Sequence, residues 1–288
     1  MTVKHLLYRQ RVNRSASVDF VIFVFLAGGA IFTALPLVFA ISNAFKPLNE
    51  LFLFPPQFFV RNPTLQNFAD LFTLMRQSWV PMSRYITNSL IIVIGGMAGN
   101  LLFGSMAAYA LSKHDFFGRH FINSLIVLSL MFAPAVVRIP NYLTIAWLGW
   151  IDTYWAVIVP AWASTLGLYL LKNFIDAMVD DSLLEAARID GASEFFIYRK
   201  IVMPIVKPAW LTLIILTFQQ LWGVTGSEFI YTENYKTLPY ALDQIVRGGI
   251  ARQGVGAAAA LIMMAVPIVV FVINQSRIVE TMGTSGIK

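Results

Sequence analysis

Long apolar runs, each followed by a short polar segment, constrain this chain more than any other feature of its sequence. Of its 288 residues, 58% are hydrophobic and 12% are charged, which is more apolar surface than a soluble domain of this length buries. About 20 apolar residues are enough to cross a bilayer as a helix. We therefore predict an all-α integral membrane protein with about six transmembrane helices. The predicted spans cover residues 18–44, 85–111, 121–147, 153–176, 205–224 and 254–275.

The lysine and arginine residues indicate the side of the membrane on which each connecting segment lies. Of the 21, thirteen fall in segments that share one side of this topology and eight in segments on the other. Cytoplasmic loops carry an excess of these residues, so we predict that both termini, residues 1–17 and 278–288, are cytoplasmic. Residues 45–84 and 225–253 are then external. The basic residues lie at the ends of apolar runs and form no single patch, which argues against nucleic-acid binding.

A polar segment, residues 181–204, lies between the fourth and fifth spans and is named the elbow here. Its pattern predicts a helix that Gly191 ends, then a second short helix that Ser193 caps and Pro204 stops. Two short amphipathic helices hold no core of their own, so we expect one face to contact a soluble partner on the cytoplasmic side. A connector without a partner is the alternative interpretation.

The elbow also resembles the signature loop of a known family. The residues that carry the resemblance are Glu185, Ala186, Ala187, Asp190, Gly191, Ala192, Ile201, Pro204 and Pro208. They match the E-A-A…D-G-A…I-x-L-P loop of permease subunits of bacterial ABC importers, with Met203 in place of the usual leucine. Residues 139–142 (I-P-N-Y) and 148–155 (L-G-W-I-D-T-Y-W) are similar to segments of the maltose-type carbohydrate importers within that family.

The resemblance implies a permease domain, residues 18–277, in the bacterial cytoplasmic membrane. It implies four kinds of partner besides membrane lipid: a cytoplasmic ABC ATPase dimer, a second and related permease subunit, an extracellular solute-binding protein, and a sugar. ATP and Mg would bind to the ATPase, and this chain would bind no cofactor. The residues assigned to ATPase coupling are Glu185, Ala186, Ala187, Asp190, Gly191, Ala192 and Pro204.

The sequence contains no motif for catalysis by the chain itself. No G-x-x-x-x-G-K-[ST] phosphate loop occurs, and no extramembrane segment is long enough for a nucleotide-binding domain. No H-E-x-x-H or G-x-S-x-G motif is present, and the chain has no cysteine. We predict a non-catalytic subunit whose energy source is another chain.

Polar and aromatic residues in the later spans are candidates for a substrate pathway. Arg138 either touches a substrate or extends to the outer interface. Gln219 and Gln220 either bond a sugar hydroxyl or tie helices together. Trp162 belongs to an aromatic stripe that packs against lipid or a helix, or stacks on a sugar ring. The full set is Arg138, Asn141, Tyr142, Trp162, Gln219, Gln220 and Trp222.

Two local features predict geometry inside the spans. Four glycines between residues 95 and 104 allow another helix to approach the second span closely. Pro134 and Pro140 are predicted to interrupt the third span, because proline lacks a backbone donor and clashes with the preceding turn.

Three other functions stay open at this point. The first is an ABC importer permease for a solute other than a sugar. The second is an ion-coupled secondary transporter or channel, which should carry carboxylates in the interior of its spans, where we find none. The third is a scaffold subunit with no pathway of its own.

Overall fold

The computed structural model describes residues 16–249 and 252–285, and this part of the chain is helical without strands. The helices in chain order are α1 (Ala16–Phe45), α2 (Leu48–Leu51), α3 (Gln66–Arg76), α4 (Met82–Lys113), α5 (Arg119–Leu130), α6 (Pro134–Trp147), α7 (Trp155–Trp162), α8 (Thr165–Met178), α9 (Asp181–Ile189), α10 (Glu194–Ile197), α11 (Met203–Ile205), α12 (Lys207–Trp222), α13 (Leu238–Val246) and α14 (Gln253–Ser285). A π-helical turn (Tyr198–Val202) links α10 to α11, and a 3-10 turn (Glu233–Tyr235) precedes α13.

The prediction of an all-helical membrane protein is confirmed. Within the described residues four helices are long and apolar enough to cross a membrane: Ser17–Phe45, Met82–Lys113, Trp155–Met178 and Gln253–Ile273. Two bent pairs bring the number to six if each pair is one span; they are α5 with α6, bent by 115°, and the run Glu194–Ile205 with α12, bent by 80°. Most of the predicted segment 1–17 and the last three residues of 278–288 lie outside the described residues, so the placement of the termini stays a prediction.

The third span is interrupted at one proline and not at two. Ala133 adopts an extended backbone with φ −66° and ψ 139°, because the residue before a proline is disfavoured in the helical region. Pro134 then begins α6, a position where its missing N–H costs nothing. Pro140 lies inside α6, so the prediction that it interrupts the helix is wrong.

The prediction that Pro204 stops the second elbow helix is also wrong. The helical run continues through Pro204 to Ile205 and ends at Val206, whose ψ is 22°. The π turn just before it shifts the hydrogen-bond register, and the Met203 N–H donates to Tyr198 O. The change of register comes immediately before Pro204, where the helical run continues.

Helix α4 is the centre of the fold, since α7, α8, α12 and α13 all pack against it. A methyl group built on Gly99 would lie 2.0 Å from Trp162 Nε1, and one on Gly96 would lie 2.4 Å from a methyl carbon of Leu221. The Trp162 indole N–H donates to Gly95 O at 2.9 Å. The expectation that small residues allow a neighbouring helix to approach α4 is confirmed.

The predicted external segment 45–84 links α1 to α4 along the chain and packs against α14. It holds the short helices α2 and α3. The Asn67 side-chain amide donates to Ala44 O at 2.9 Å and to Lys46 O at 2.8 Å, which fixes α3 to the end of α1. A methyl group on Gly254 would lie 2.3 Å from Asn67 Oδ1, so α14 also begins against this side chain.

Candidate functional site

The elbow turns at Gly191, as the sequence predicts. Gly191 has φ +83°, a left-handed conformation that favours glycine. Its N–H donates to Arg188 O at 3.0 Å, and the Ala192 N–H donates to Ala187 O at 3.0 Å. This pair of bonds is a Schellman motif that ends α9. The hydroxyl of Ser193 then accepts the Phe196 N–H at 3.3 Å and caps α10, so both predicted boundaries are confirmed.

One face of the elbow is buried against the rest of the chain. Leu184, Ile197 and Val202 are at most 1% exposed. They form one apolar core with Leu171 and Ile175 of α8, Tyr109 of α4 and the first turns of α12. Burial of this size makes the elbow part of the helix bundle and not a separate flexible loop.

Polar contacts fasten the same face to the end of α4. Lys113 Nζ lies 2.7 Å from Asp181 Oδ1 and donates to Val179 O at 2.7 Å. The hydrogen bond from Lys113 lowers the pKa of the Asp181 carboxyl group. Because the pKa is lowered in the folded state, this contact stabilises the fold at pH values above the usual carboxyl pKa. The stabilisation is lost as the pH falls through the lowered pKa.

A second set of polar contacts centres on the Glu194 carboxylate. Tyr109 Oη donates to it at 2.8 Å, and Arg188 Nε donates to it at 2.7 Å. His114 Nε2 lies 3.4 Å from the same carboxylate. The two halves of the elbow and the end of α4 are thus joined through one side chain.

The opposite face of the elbow is exposed. Ile189 is 86% exposed, Phe195 60% and Phe196 51%. Among the described residues Glu185 is exposed and makes no hydrogen bond or ion pair. Of the other coupling candidates, Ala186, Asp190, Gly191 and Pro204 are exposed, and Ala187 and Ala192 are half-buried.

The pathway candidates divide into two groups. Arg138 and Tyr142 are exposed on α6 and line one cavity, with Asn141 half-buried beside them; Gln220 lines a neighbouring cavity. Gln219 is exposed on α12. The two tryptophans pack against neighbouring helices: Trp162 lies over Gly99 and also lines a separate cavity with Phe103, and the Trp222 indole N–H donates to Met263 O at 3.1 Å. Trp222 is only 8% exposed.

Asp152 joins the turn after α6 to the segment after α12, a contact that the sequence did not reveal. Its N–H donates to Phe229 O at 2.7 Å. Its carboxylate accepts the N–H groups of Tyr231 and Thr232 at 2.8 Å each, and the Thr232 hydroxyl as well. Burial raises the pKa of Asp152, but these hydrogen bonds outweigh that effect, so the pKa lies below its usual range. The only sequence signal was its place in the D-T-Y-W segment.

Asp152→Ala should loosen this loop more than Asp152→Asn does. Alanine removes every side-chain acceptor and fits the left-handed backbone of Asp152, φ +62°, poorly. Asparagine keeps one acceptor and tolerates that conformation. Hydrogen exchange of residues 226–232 should rise about tenfold or more in the alanine variant, since a hydrogen bond to a charged group is worth roughly 1.5–3 kcal/mol. Equal protection in both variants would contradict the role of Asp152.

Glu228 is the second residue that sequence reasoning missed as a site residue. Its carboxylate forms an ion pair with the Arg138 guanidinium, across the gap between α6 and the segment after α12. Tyr142 and Phe229 stack beside the pair, with ring centroids 6.1 Å apart. Arg138 and Tyr142 line one cavity and Gln220 the other, and Glu228 lines both.

Comparison with known proteins adds three findings. The family described as binding-protein-dependent transport system inner membrane component matches residues 99–281. The arabinooligosaccharides transport system permease protein AraQ of Halalkalibacterium halodurans is 29% identical, over 92% of this chain and 94% of its own. The polygalacturonan/rhamnogalacturonan transport system permease protein YtcP of Bacillus subtilis is 29% identical, over 82% and 80%.

The fold is that of a solved transporter chain. A chain from the crystal structure of a bacterial ABC transporter involved in the import of alginate superimposes with a TM-score of 0.76. The identity is 20%, and the match covers 93% of this chain and 99% of that one.

Proposed function

The chain belongs to the family of binding-protein-dependent transport system inner membrane components, and on that basis we propose that it forms half of the sugar pathway of an ATP-driven importer. Members of this family are membrane transport components and not catalysts. The chain is accordingly a multi-pass protein of the cell membrane.

The observation that carries the proposal is the division of the elbow into a buried and an exposed face. The buried face is fixed to α4 and α8 by an apolar core and by the Lys113 and Glu194 contacts. The exposed face offers a carboxylate, Glu185, beside large apolar side chains. A partner bound to that face moves the transmembrane helices with it, because packed elements shift as units.

We place the elbow and both termini in the cytoplasm, and the partner there is an ABC ATPase dimer that binds ATP and Mg. Closure of the ATPase dimer would draw together this elbow and that of a second, related permease subunit. Glu185 forms a charged contact with the ATPase, and Gly191 permits the turn. Ala186, Ala187, Asp190, Ala192 and Pro204 complete the coupling surface. The resulting tilt of α4, α8 and α12 would open the pathway to the outside.

The proposed substrate is a sugar or oligosaccharide delivered by an extracellular solute-binding protein. Both relatives above are named for the transport of such compounds. The cavities around Arg138 and Gln220 lie at the end of the molecule opposite the elbow, which is the external end in this topology. Substrate would enter there.

Isolation of the whole transporter tests this function. The chain carrying an affinity tag would be purified from its host in mild detergent, and the chains that accompany it identified. We expect an ATPase and a second permease. After reconstitution in nanodiscs, ATP hydrolysis should rise when the binding protein is added with arabinooligosaccharides or galactooligosaccharides. Purification of the chain alone, or uptake driven by an ion gradient without ATP, would contradict the proposal and favour a secondary transporter.

A further inference from the structure

Two neighbouring cavities at the end opposite the elbow share the side chain of Glu228. The first has a volume of about 430 Å³, and Gln220, Thr225 and Ser227 supply polar groups to its wall. The second has a volume of about 530 Å³ and is lined by Arg138 and Tyr142. A monosaccharide unit or more fits in a space of this size.

The chemistry of the two cavities suits a saccharide. Gln220, Thr225 and Ser227 offer amide and hydroxyl groups that both donate and accept hydrogen bonds. The stacked rings of Tyr142 and Phe229 provide an apolar surface next to them. Sugar rings present the same combination of hydroxyl groups and apolar C–H faces.

Charge in the two cavities is balanced. Among the described residues that line them, Arg138 and Glu228 are the charged ones, and they form an ion pair with each other. Their side chains are 65% and 42% exposed, so a bound molecule reaches both. An acidic sugar would have to compete with Glu228 for the guanidinium and would meet the repulsion of the carboxylate.

We propose that the Arg138–Glu228 pair makes this half of the pathway selective for uncharged over acidic oligosaccharides. This inference rests on the proposed function and names the substrate class within it. Kinship does not decide the point, because one relative is named for arabinooligosaccharides and another for polygalacturonan. The Arg138–Glu228 ion pair of this chain is the feature that favours an uncharged substrate over an acidic one.

Saturation-transfer NMR on the purified transporter in nanodiscs, without its binding protein, tests the selectivity of the permease itself. The two probes are α-1,4-linked trigalacturonate and the same trisaccharide with its carboxyl groups reduced to primary alcohols. These probes differ only in charge and in the replaced oxygen. For the wild-type chain we expect the neutral probe to give about fivefold more transfer, the effect of one unit charge near 4 Å in water-like surroundings.

Charge variants should move that ratio in opposite directions. Glu228→Gln frees Arg138 to bind a carboxylate, so the ratio should fall to about one or below. Arg138→Gln leaves Glu228 unpaired, so the ratio should rise. Arg247→Gln is the matched control, because Arg247 forms its ion pair with Asp243 outside both cavities; it should leave the ratio unchanged.

Three results would overturn the inference. The first is an equal or acidic preference in the wild-type chain, and the second is a ratio that Glu228→Gln leaves unchanged. The third is the absence of transfer to either probe in every variant. In each case the same transporter preparation is then mixed with its binding protein and sugar, and stimulated ATP hydrolysis shows whether the transport function itself holds, so failure of the inference and failure of the function are distinguishable.

Discussion

Glu185→Ala lowers sugar-stimulated ATP hydrolysis of the assembled transporter by about tenfold or more while the chain itself stays folded. A charge-assisted hydrogen bond contributes roughly 1.5–3 kcal/mol, and each 1.4 kcal/mol is about a tenfold change in an equilibrium. Glu185 makes no hydrogen bond or ion pair within the described part of the chain. Its loss therefore removes a contact to the partner and leaves the elbow intact. The measurement is stimulated hydrolysis, together with the amount of ATPase that accompanies the tagged chain.

Two variants make the result specific to the elbow carboxylate. Glu185→Gln keeps the shape and the hydrogen-bonding groups but loses the charge, so an intermediate loss is expected. Asp115→Ala removes another exposed carboxylate at the same end of the molecule, 94% exposed and paired with Arg119 outside the elbow. It should retain full activity. If Glu185→Ala matched Asp115→Ala in both hydrolysis and ATPase recovery, Glu185 would have no part in coupling.

Gly99→Ala should destabilise the helix bundle, although alanine usually favours a helix over glycine. The added methyl group would lie 2.0 Å from Trp162 Nε1, so the indole must move and give up its hydrogen bond to Gly95 O. Overpacking of this kind costs about 1–3 kcal/mol. The variant should unfold several degrees lower in a thermal scan of the purified transporter in detergent.

Gly28→Ala is the matched control for that experiment. Gly28 also lies in a membrane-spanning helix, α1, but a methyl group there meets no atom within 4 Å. Its expected effect is neutral or slightly stabilising, because alanine loses less backbone freedom than glycine. Equal unfolding temperatures for the two variants would show that the contact between α4 and Trp162 does not limit stability.

The parts of the fold that local rules determine could be predicted from the sequence. The spans follow from bilayer thickness, and the turn at Gly191 follows from the need for a left-handed residue after a helix. Proline was harder to interpret. Proline breaks a helix mainly when it lies in the interior of a regular soluble helix. Pro204 instead follows a π turn, and Pro140 lies in a membrane helix, where proline is tolerated.

The polar contacts of the site could not be predicted, since they join residues distant in sequence. Asp152 contacts Thr232, and Arg138 contacts Glu228. In each pair the first residue precedes the fourth span in sequence and the second follows the fifth span. No pattern within a single helix specifies such a pair. Trp222 was a pathway candidate because of its position in the fifth span, but its indole packs against α14. Tertiary contacts, and not spacing, determine which polar side chains face a cavity.

The proposed coupling to an ATPase requires that the elbow lie on the cytoplasmic side of the membrane, and cysteine labelling measures this directly. Because the chain has no cysteine, Ser182→Cys on the exposed side of α9 and Gln77→Cys at the opposite end each provide one reactive site. Both would be treated with a membrane-impermeant maleimide in right-side-out and inside-out vesicles. We expect Ser182→Cys to react only in inside-out vesicles and Gln77→Cys only in right-side-out ones. Reaction of Ser182→Cys in right-side-out vesicles would put the elbow out of reach of any cytoplasmic ATPase.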